Sequence, residues 1–204
     1  MMGNDALFYI PNIIGYTRLF LVAVSLGLYD FPVFFLFFYC IAAILDGFDG
    51  YAARKLNQVS TFGALLDVIV DLISRGILWC SLSKWGYCVM VAEWATFVAT
   101  HRVGSNWKIP EEDFPVICRK VMEKGFKTPL GTYAITGLHV LPIWLYIRTT
   151  DFIPGTLYLS PWIQSFVTLF LIGGRLLSFR VEIFYIWKHI SFLLAEDIKV
   201  KHNS

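Results

Sequence analysis

Apolar runs of membrane-crossing length, separated by short polar punctuation, dominate the pattern of this chain. Residues Leu7 to Ile14 are apolar with Pro11 and Asn12 as interruptions, which predicts a short interfacial piece leading into a first span from about Asn12 to Tyr29. Further runs predict spans at about Val33 to Lys55, Phe62 to Ser83, Tyr87 to Val103, Pro129 to Ile147 and Pro161 to Trp187. Each reaches or exceeds the roughly 17–25 residues an α-helix uses to cross the hydrocarbon layer. The polar segment Gly104 to Thr128 reads as a loop, the stretch Asp151 to Gly155 as a short turn, and the residues after Trp187 as a polar tail. The expectation is an all-α membrane protein, a bundle of about six transmembrane helices with a short interfacial N-terminal segment, forming a single domain over residues 1–204.

Composition agrees. Of 204 residues 57% are hydrophobic and 17% aromatic, and only 16% are charged, against roughly 25% in soluble domains. A net charge of +2 on scattered basic residues gives no basic patch, so nucleic acid is excluded as a partner and the lipid bilayer is the expected one. Cys40, Cys80, Cys88 and Cys118 are far apart in apolar runs and read as small core residues, not as a disulfide set or a thiolate metal site. The N-terminus lacks the basic, apolar and small-residue succession of a cleaved signal peptide, and a second Met stands where a myristoylation motif needs Gly. The lysines of the ending KVKHNS are out of register for a retrieval tail.

Six spans place both termini on one side. Arg54, Lys55, the segment Arg102 to Lys127 and the tail lysines Lys188, Lys199 and Lys201 share that side, whereas Lys84 and Arg148 fall on the other. The positive-inside rule makes the basic side cytosolic.

Four aspartates interrupt this lipid-like pattern. Asp46 and Asp49 are three residues apart and Asp67 and Asp71 four apart, so on helices each pair projects from one face. They fall late in the second span and early in the third, hence near the same cytosolic face. Four carboxylates held close in a low dielectric need compensation, and hard oxygen ligands suit Mg²⁺ or Mn²⁺. Two such ions stabilise the attacking and leaving oxygens of a phosphoryl displacement. Arg75 continues the stripe of Asp67 and Asp71 at four-residue spacing and is placed to pair with Asp71. The rival account is a set of buried acids paired with Arg54 and Arg75 for packing alone. Arg18, inside the first span, needs a polar partner in the bundle interior or reaches the headgroups.

Around the aspartates the chain spells DxxDGxxAR, eight residues, then GxxxDxxxD, through Asp46, Asp49, Gly50, Ala53, Arg54, Gly63, Asp67 and Asp71. In all eight positions this resembles the signature of the CDP-alcohol phosphatidyltransferases. The resemblance implies that CDP-diacylglycerol donates its phosphatidyl group to an alcohol with release of CMP. It implies that Asp46, Asp49, Asp67 and Asp71 bind two Mg²⁺ or Mn²⁺ ions, that Asp71 also serves as the catalytic base, and that Gly50, Ala53, Arg54 and Gly63 line the CDP site. It further implies a homodimer. The two glycines make physical sense where a nucleotide packs against a helix.

Outside the signature, IPNIIGYTR near the start and PVICRK before the fifth span resemble the inositol-using branch of the family in the eukaryotic endoplasmic reticulum. Inositol is therefore the favoured acceptor and that membrane the expected location. Three departures bear on the acceptor. Leu72 stands where the family usually has a basic residue; Glu93, Trp94, Ala95, Thr96 and Phe97 replace a DxxSH-like run; and His139 falls where the inositol enzymes are acidic. These leave two readings open, an inositol enzyme with a diverged pocket or a paralogue acting on glycerol phosphate, glycerol or serine. A different class of reading is an inactive family member serving as a membrane scaffold. A cation transporter fits less well, because the chain shows no internal repeat and its acids lie near one face. His101, His139 and His189 read as packed or interfacial rather than metal ligands. Arg119 and Lys120 suit either the acceptor side or anionic lipid.

Overall fold

The computed structural model describes residues 5–101, 113–150 and 159–203. Among these, seven α-helices follow one short 3₁₀ turn, Asp5–Phe8, and there is no strand. The chain divides into two compact units, Met1–Ile77 and Leu78–Ser204.

The first unit holds α1 (Ile10–Gly27), α2 (Pro32–Lys55) and most of α3 (Thr61–Leu82). Pro11 and Pro32 sit in the first turns of α1 and α2, where a missing N–H costs nothing. The expected interfacial piece Leu7 to Ile14 is thus divided, its first residues in the 3₁₀ turn and the rest already in α1. The buried face of α1 is Pro11, Asn12, Gly15, Arg18, Val22 and Ser25, spaced by threes and fours and made of small or polar residues rather than large apolar ones. Helices in lipid pack this way, because large apolar side chains gain nothing by leaving the acyl chains. A β-carbon on Gly15 would stand 2.9 Å from Leu66 Cδ2, so the glycine lets α1 and α3 approach. On α2 the buried positions Phe35, Tyr39, Ala42 and Asp49 form the complementary stripe.

The turn from α2 to α3 is tightly specified. Gln58 N–H donates to Ala53 C=O at 2.9 Å and Asn57 N–H to Arg54 C=O at 3.5 Å, while Asn57 takes φ 54°. This is a Schellman ending with asparagine in the left-handed position. Ser60 Oγ then accepts from Gly63 N–H at 3.0 Å and caps α3. Gln58 Oε1 also accepts from Ile10 N–H at 3.0 Å, tying the start of α1 to the same turn. One end of the unit thereby gathers the start of α1, the end of α2 and the start of α3.

The second unit contains α4 (Gly86–Thr100), α5 (Val116–Phe126), α6 (Pro129–Thr149) and α7 (Pro161–Asn203). Two expectations change here. The segment read as a loop carries α5, bent by left-handed conformations at Lys124, Gly125 and Phe126; residues 102–112 lie outside the described residues. The polar tail after Trp187 is helical, continuing α7 to 43 residues, because nothing between Pro161 and Asn203 breaks a helix: no proline follows the first position. The expected turn at Asp151 to Gly155 also lies outside the described residues. Antiparallel α6 and α7 cross closely at Gly137 and Gly174, where a β-carbon on Gly137 would fall 2.2 Å from Arg175 N. Beside that crossing Ser178 Oγ donates to Ala134 C=O at 2.8 Å. Cys118 is buried with Phe114, Val121, Met122, Val181 and Tyr185, as expected of a core cysteine, whereas Cys40 and Cys88 are exposed on their helices.

Among the described residues, three helices, α1, α2 and α6, are long and apolar enough to cross a membrane. This makes the chain a membrane protein of all-helical class. Helix α4, at 15 residues, spans only about 22 Å at 1.5 Å per residue.

Candidate active site

All four aspartates converge on a single side chain. From α1, the Arg18 guanidinium reaches between α2 and α3 with Nη1 at 2.6 Å from Asp49 Oδ2 and 2.8 Å from Asp67 Oδ1. Its Nη2 lies 2.6 Å from Asp46 Oδ1 and 2.6 Å from Asp71 Oδ1. Each terminal nitrogen thus serves one carboxylate of α2 and one of α3. Arg75 Nη1 reaches the second oxygen of Asp71 at 3.3 Å, the pairing its spacing predicts. Arg18 is therefore an interior residue, and the alternative in which it extends to the headgroups is set aside.

Helical periodicity explains the convergence. Three residues along α2 advance the helix by nearly one turn, as do four along α3, so each pair stacks on the face turned to α1. Asp49 is the deepest, with its side chain 10% exposed, while those of Asp46 and Asp67 are 43% and 47% exposed. Carboxylate oxygens of Asp46, Asp49 and Asp67 lie within 4.8 Å of one another. Asp71 stands one turn further along α3, shared between two guanidiniums.

The donor set fits a hard divalent cation. It is all oxygen, it comes from two helices whose backbones cannot splay, and four carboxylates facing two guanidiniums leave a formal excess of negative charge. Opposite oxygens around one Mg²⁺ stand about 4.2 Å apart, so three oxygens lying within 4.8 Å of one another are near the reach of a single ion.

Beside the carboxylates lies a cavity of about 340 Å³. It is lined by Gly50, Ala53, Arg54 and Gly63, all four residues expected from the sequence to form a nucleotide site, together with Asp49 and Asp67. Its other walls are Pro11, Asn12 and Gly15 of α1, which lie in the IPNIIGYTR segment, Gln58, Val59 and Ser60 of the turn, and Ala64 and Leu66 of α3; of these the turn residues and the α3 pair were given no role from the sequence. The spacing of Asn12, Gly15 and Arg18 by three was the available signal, since it puts all three on one stripe. The two glycines act differently. A β-carbon on Gly50 would meet only the flexible head of Arg54 at 3.4 Å, so its absence widens the cavity. At Gly63 the same atom would come 2.6 Å from Asn12 Oδ1 and 3.0 Å from Ser60 Oγ, so this glycine is required by the protein's own polar packing.

The sequence profile described as CDP-alcohol phosphatidyltransferase matches residues 8–170, a range that takes in the carboxylate cluster and the cavity. The chain belongs to this family. Among curated relatives of this CDP-alcohol phosphatidyltransferase, the CDP-diacylglycerol–inositol 3-phosphatidyltransferase of Schizosaccharomyces pombe is 45% identical over 76 residues, 37% of this chain and 32% of the relative. The enzyme of that name from Candida albicans is 52% identical over 69 residues, 33% of this chain and 30% of the relative. That of Saccharomyces cerevisiae is 41% identical over 96 residues, 47% and 41% of the two chains. The matched stretches thus span well under half the length of these relatives. No solved structure matches the chain. Divalent-metal dependence is general in the CDP-alcohol phosphatidyltransferase family, in keeping with the oxygen-only donor set.

The residues in which the sequence departs from the inositol enzymes have structural places of their own. Leu72 is buried, on a different side of α3 from Asp71. Glu93 of α4 is buried in an ion pair with Arg175 of α7, at 3.5 Å, and Arg175 also donates to Glu182 at 3.1 Å. His139 is half-buried on α6, His101 packs at the end of α4 with its ring 5.7 Å from that of Phe97, and Arg119 and Lys120 are exposed on α5.

Proposed function

We propose that this protein transfers the phosphatidyl group of CDP-diacylglycerol to a hydroxyl of myo-inositol, giving phosphatidylinositol and CMP. The observation that carries the reading is the juxtaposition of a four-carboxylate cluster with a cavity lined by Gly50, Ala53, Arg54 and Gly63. The choice of inositol rests on the names of the relatives quoted above and on the IPNIIGYTR and PVICRK segments.

In this reading Asp46, Asp49, Asp67 and Asp71 hold two ions, Mg²⁺ or Mn²⁺. When bound, the ions supply Lewis acidity to the diphosphate and offset its charge. The cavity takes the cytidine end, with Arg54 at its rim facing the phosphates and Gly50 leaving room for the nucleotide against α2. Asp71 accepts the proton of the acceptor hydroxyl. The hydroxyl oxygen bonds to the phosphorus that carries diacylglycerol, the bond from that phosphorus to the bridging oxygen breaks, and CMP leaves with that oxygen. Arg75, paired to Asp71, orients its carboxylate.

The same reading takes residues 1–204 as one membrane domain of six spans that functions as a homodimer in the endoplasmic reticulum. The distribution of Arg and Lys between alternate connections supports cytosolic termini and a cytosolic site, where a soluble alcohol meets a lipid substrate held in the bilayer.

The test uses purified protein in liposomes with CDP-diacylglycerol and Mn²⁺ or Mg²⁺, and CMP release is followed with inositol, glycerol 3-phosphate, glycerol, serine or no alcohol. CMP release with inositol alone, absent in Asp71→Asn, is the expected result. Release with a different alcohol retains the chemistry and corrects the acceptor. No release above the Asp71→Asn background from folded protein favours the scaffold reading.

A further inference from the structure

Arg18 has a role that a set of metal-binding carboxylates does not by itself require. Its side chain is 3% exposed, and its two terminal nitrogens are committed to four different carboxylates. The remaining donor, Nε, is buried and has no hydrogen-bond partner. A guanidinium gains most from a bidentate fork on one carboxylate. Here it gives up that geometry to reach four groups on two helices, which is the behaviour of a cation centred in a negative field rather than of one partner in a pair.

The oxygens it occupies belong to the carboxylates that a divalent ion would use, since Asp46, Asp49 and Asp67 form the three-aspartate group. Ion and guanidinium cannot both be fully served there. They share a limited set of lone pairs, and two cations about 4 Å apart away from bulk water repel by several kcal/mol at an effective dielectric of about 20. Without either cation, the excess of like charge pushes α2 and α3 apart.

We propose that Arg18 is a tethered counter-cation of the carboxylate cluster: it holds the four aspartates together when no divalent ion is bound and competes with divalent ions for their oxygens. It is a positioning residue. Its effect on the reaction is to keep the ion-free cluster assembled, so that ions bind to a preformed set of ligands at the expense of some affinity. This inference rests on the reading that the aspartates bind divalent ions.

The signature is a pair of opposite effects. In the full chain in detergent, Mn²⁺ binding is followed by the paramagnetic resonance of free Mn²⁺, and thermal unfolding is followed in EDTA and in Mn²⁺. Arg18→Gln is expected to bind Mn²⁺ about tenfold more tightly than the unchanged protein, or better, since a like charge beside the ion is gone. The same variant is expected to melt at least about 5 °C lower in EDTA and to regain most of that in Mn²⁺. A purely structural arginine lowers stability and metal affinity together, so an affinity unchanged or weakened in Arg18→Gln overturns the proposal. Should Arg18→Gln fail to fold with or without Mn²⁺, Arg18→Lys decides. Its compact ammonium cannot serve four carboxylates, so lower stability in EDTA with tighter Mn²⁺ binding is expected, and unaltered affinity overturns the proposal. Asp49→Asn separates the two levels: if it binds Mn²⁺ as well as the unchanged protein, the aspartates are not the ligands and both readings fall. If it loses binding while Arg18→Gln gains none, only the role of Arg18 falls.

Discussion

The side-chain oxygen of Asn12 lies 2.6 Å from the point where a β-carbon on Gly63 would stand. Asn12 cannot easily retreat, since it is 1% exposed and its amide donates to Ala6 C=O. Substitution Gly63→Ala is therefore expected to destabilise the protein by about 1–3 kcal/mol, the scale of overpacking a tight site. On the proposed reading it should also raise KM for CDP-diacylglycerol, because Asn12 and Gly63 share one cavity wall. Thermal melts compare Gly63→Ala with the double variant Asn12→Ala/Gly63→Ala, which removes the clash and should recover part of the lost stability beyond additivity.

Loss of the base is expected to be a loss of turnover more than of binding. In the proposed reaction Asp71→Asn removes the proton acceptor but keeps a similar shape between Arg18 and Arg75. CMP release should fall about 10²–10⁴-fold, the range that general base catalysis contributes. Near-wild-type turnover in this variant would move the role of base to another carboxylate of the cluster.

Chelation should silence the protein reversibly. EDTA is expected to abolish CMP release without unfolding the chain, since Arg18 still bridges the carboxylates, and Mg²⁺ or Mn²⁺ should restore it. Irreversible loss after chelation would mean that the cluster collapses without metal. Activity that survives exhaustive chelation would remove metal from the mechanism.

In the second unit, one cation, Arg175, pairs with both Glu93 and Glu182. Arg175→Leu leaves two buried carboxylates without it and is expected to cost about 3–5 kcal/mol, as when one partner of a buried pair is removed. Adding Glu93→Gln and Glu182→Gln should recover much of this. Thermal melts of the single and triple variants check the coupling. Equal melts for Arg175→Leu and the unchanged protein would show the pairs to be dispensable.

The carboxylate pairs were legible because their spacing of three and four equals a helical turn, and because charge in an apolar run stands out. All eight signature residues fall within the site region for that reason, Asp71 sitting deepest along α3. What the sequence did not reveal came from polar side chains whose partners lie far away along the chain. Arg18 bonds residues 28 to 53 positions away, and Asn12 lines a cavity with Gly50 and Ser60, so the stripe they share with Gly15 marks their helix face but not the partners they meet there. Helix extents were not legible where polarity and helicity part company: α5 and the end of α7 are polar yet helical, because charged residues without proline propagate a helix well. Leu72 and Glu93 could be seen as departures, but their burial, and the pairing of Glu93 with Arg175, are tertiary facts.

The stripe of Asn12, Gly15 and Arg18 also sets where the chain can change length. One residue inserted between Asn12 and Arg18 would rotate everything beyond it by about 100° and carry the guanidinium off the aspartates. Residues 28–31, which join α1 to α2, lie at the opposite end of the unit from the cavity and hold no group of the site. Insertions and deletions should therefore accumulate in that connection and be purged from the seven residues between Asn12 and Arg18 inclusive, so that the first helix behaves as a ruler whose divisions are fixed while its far end is free.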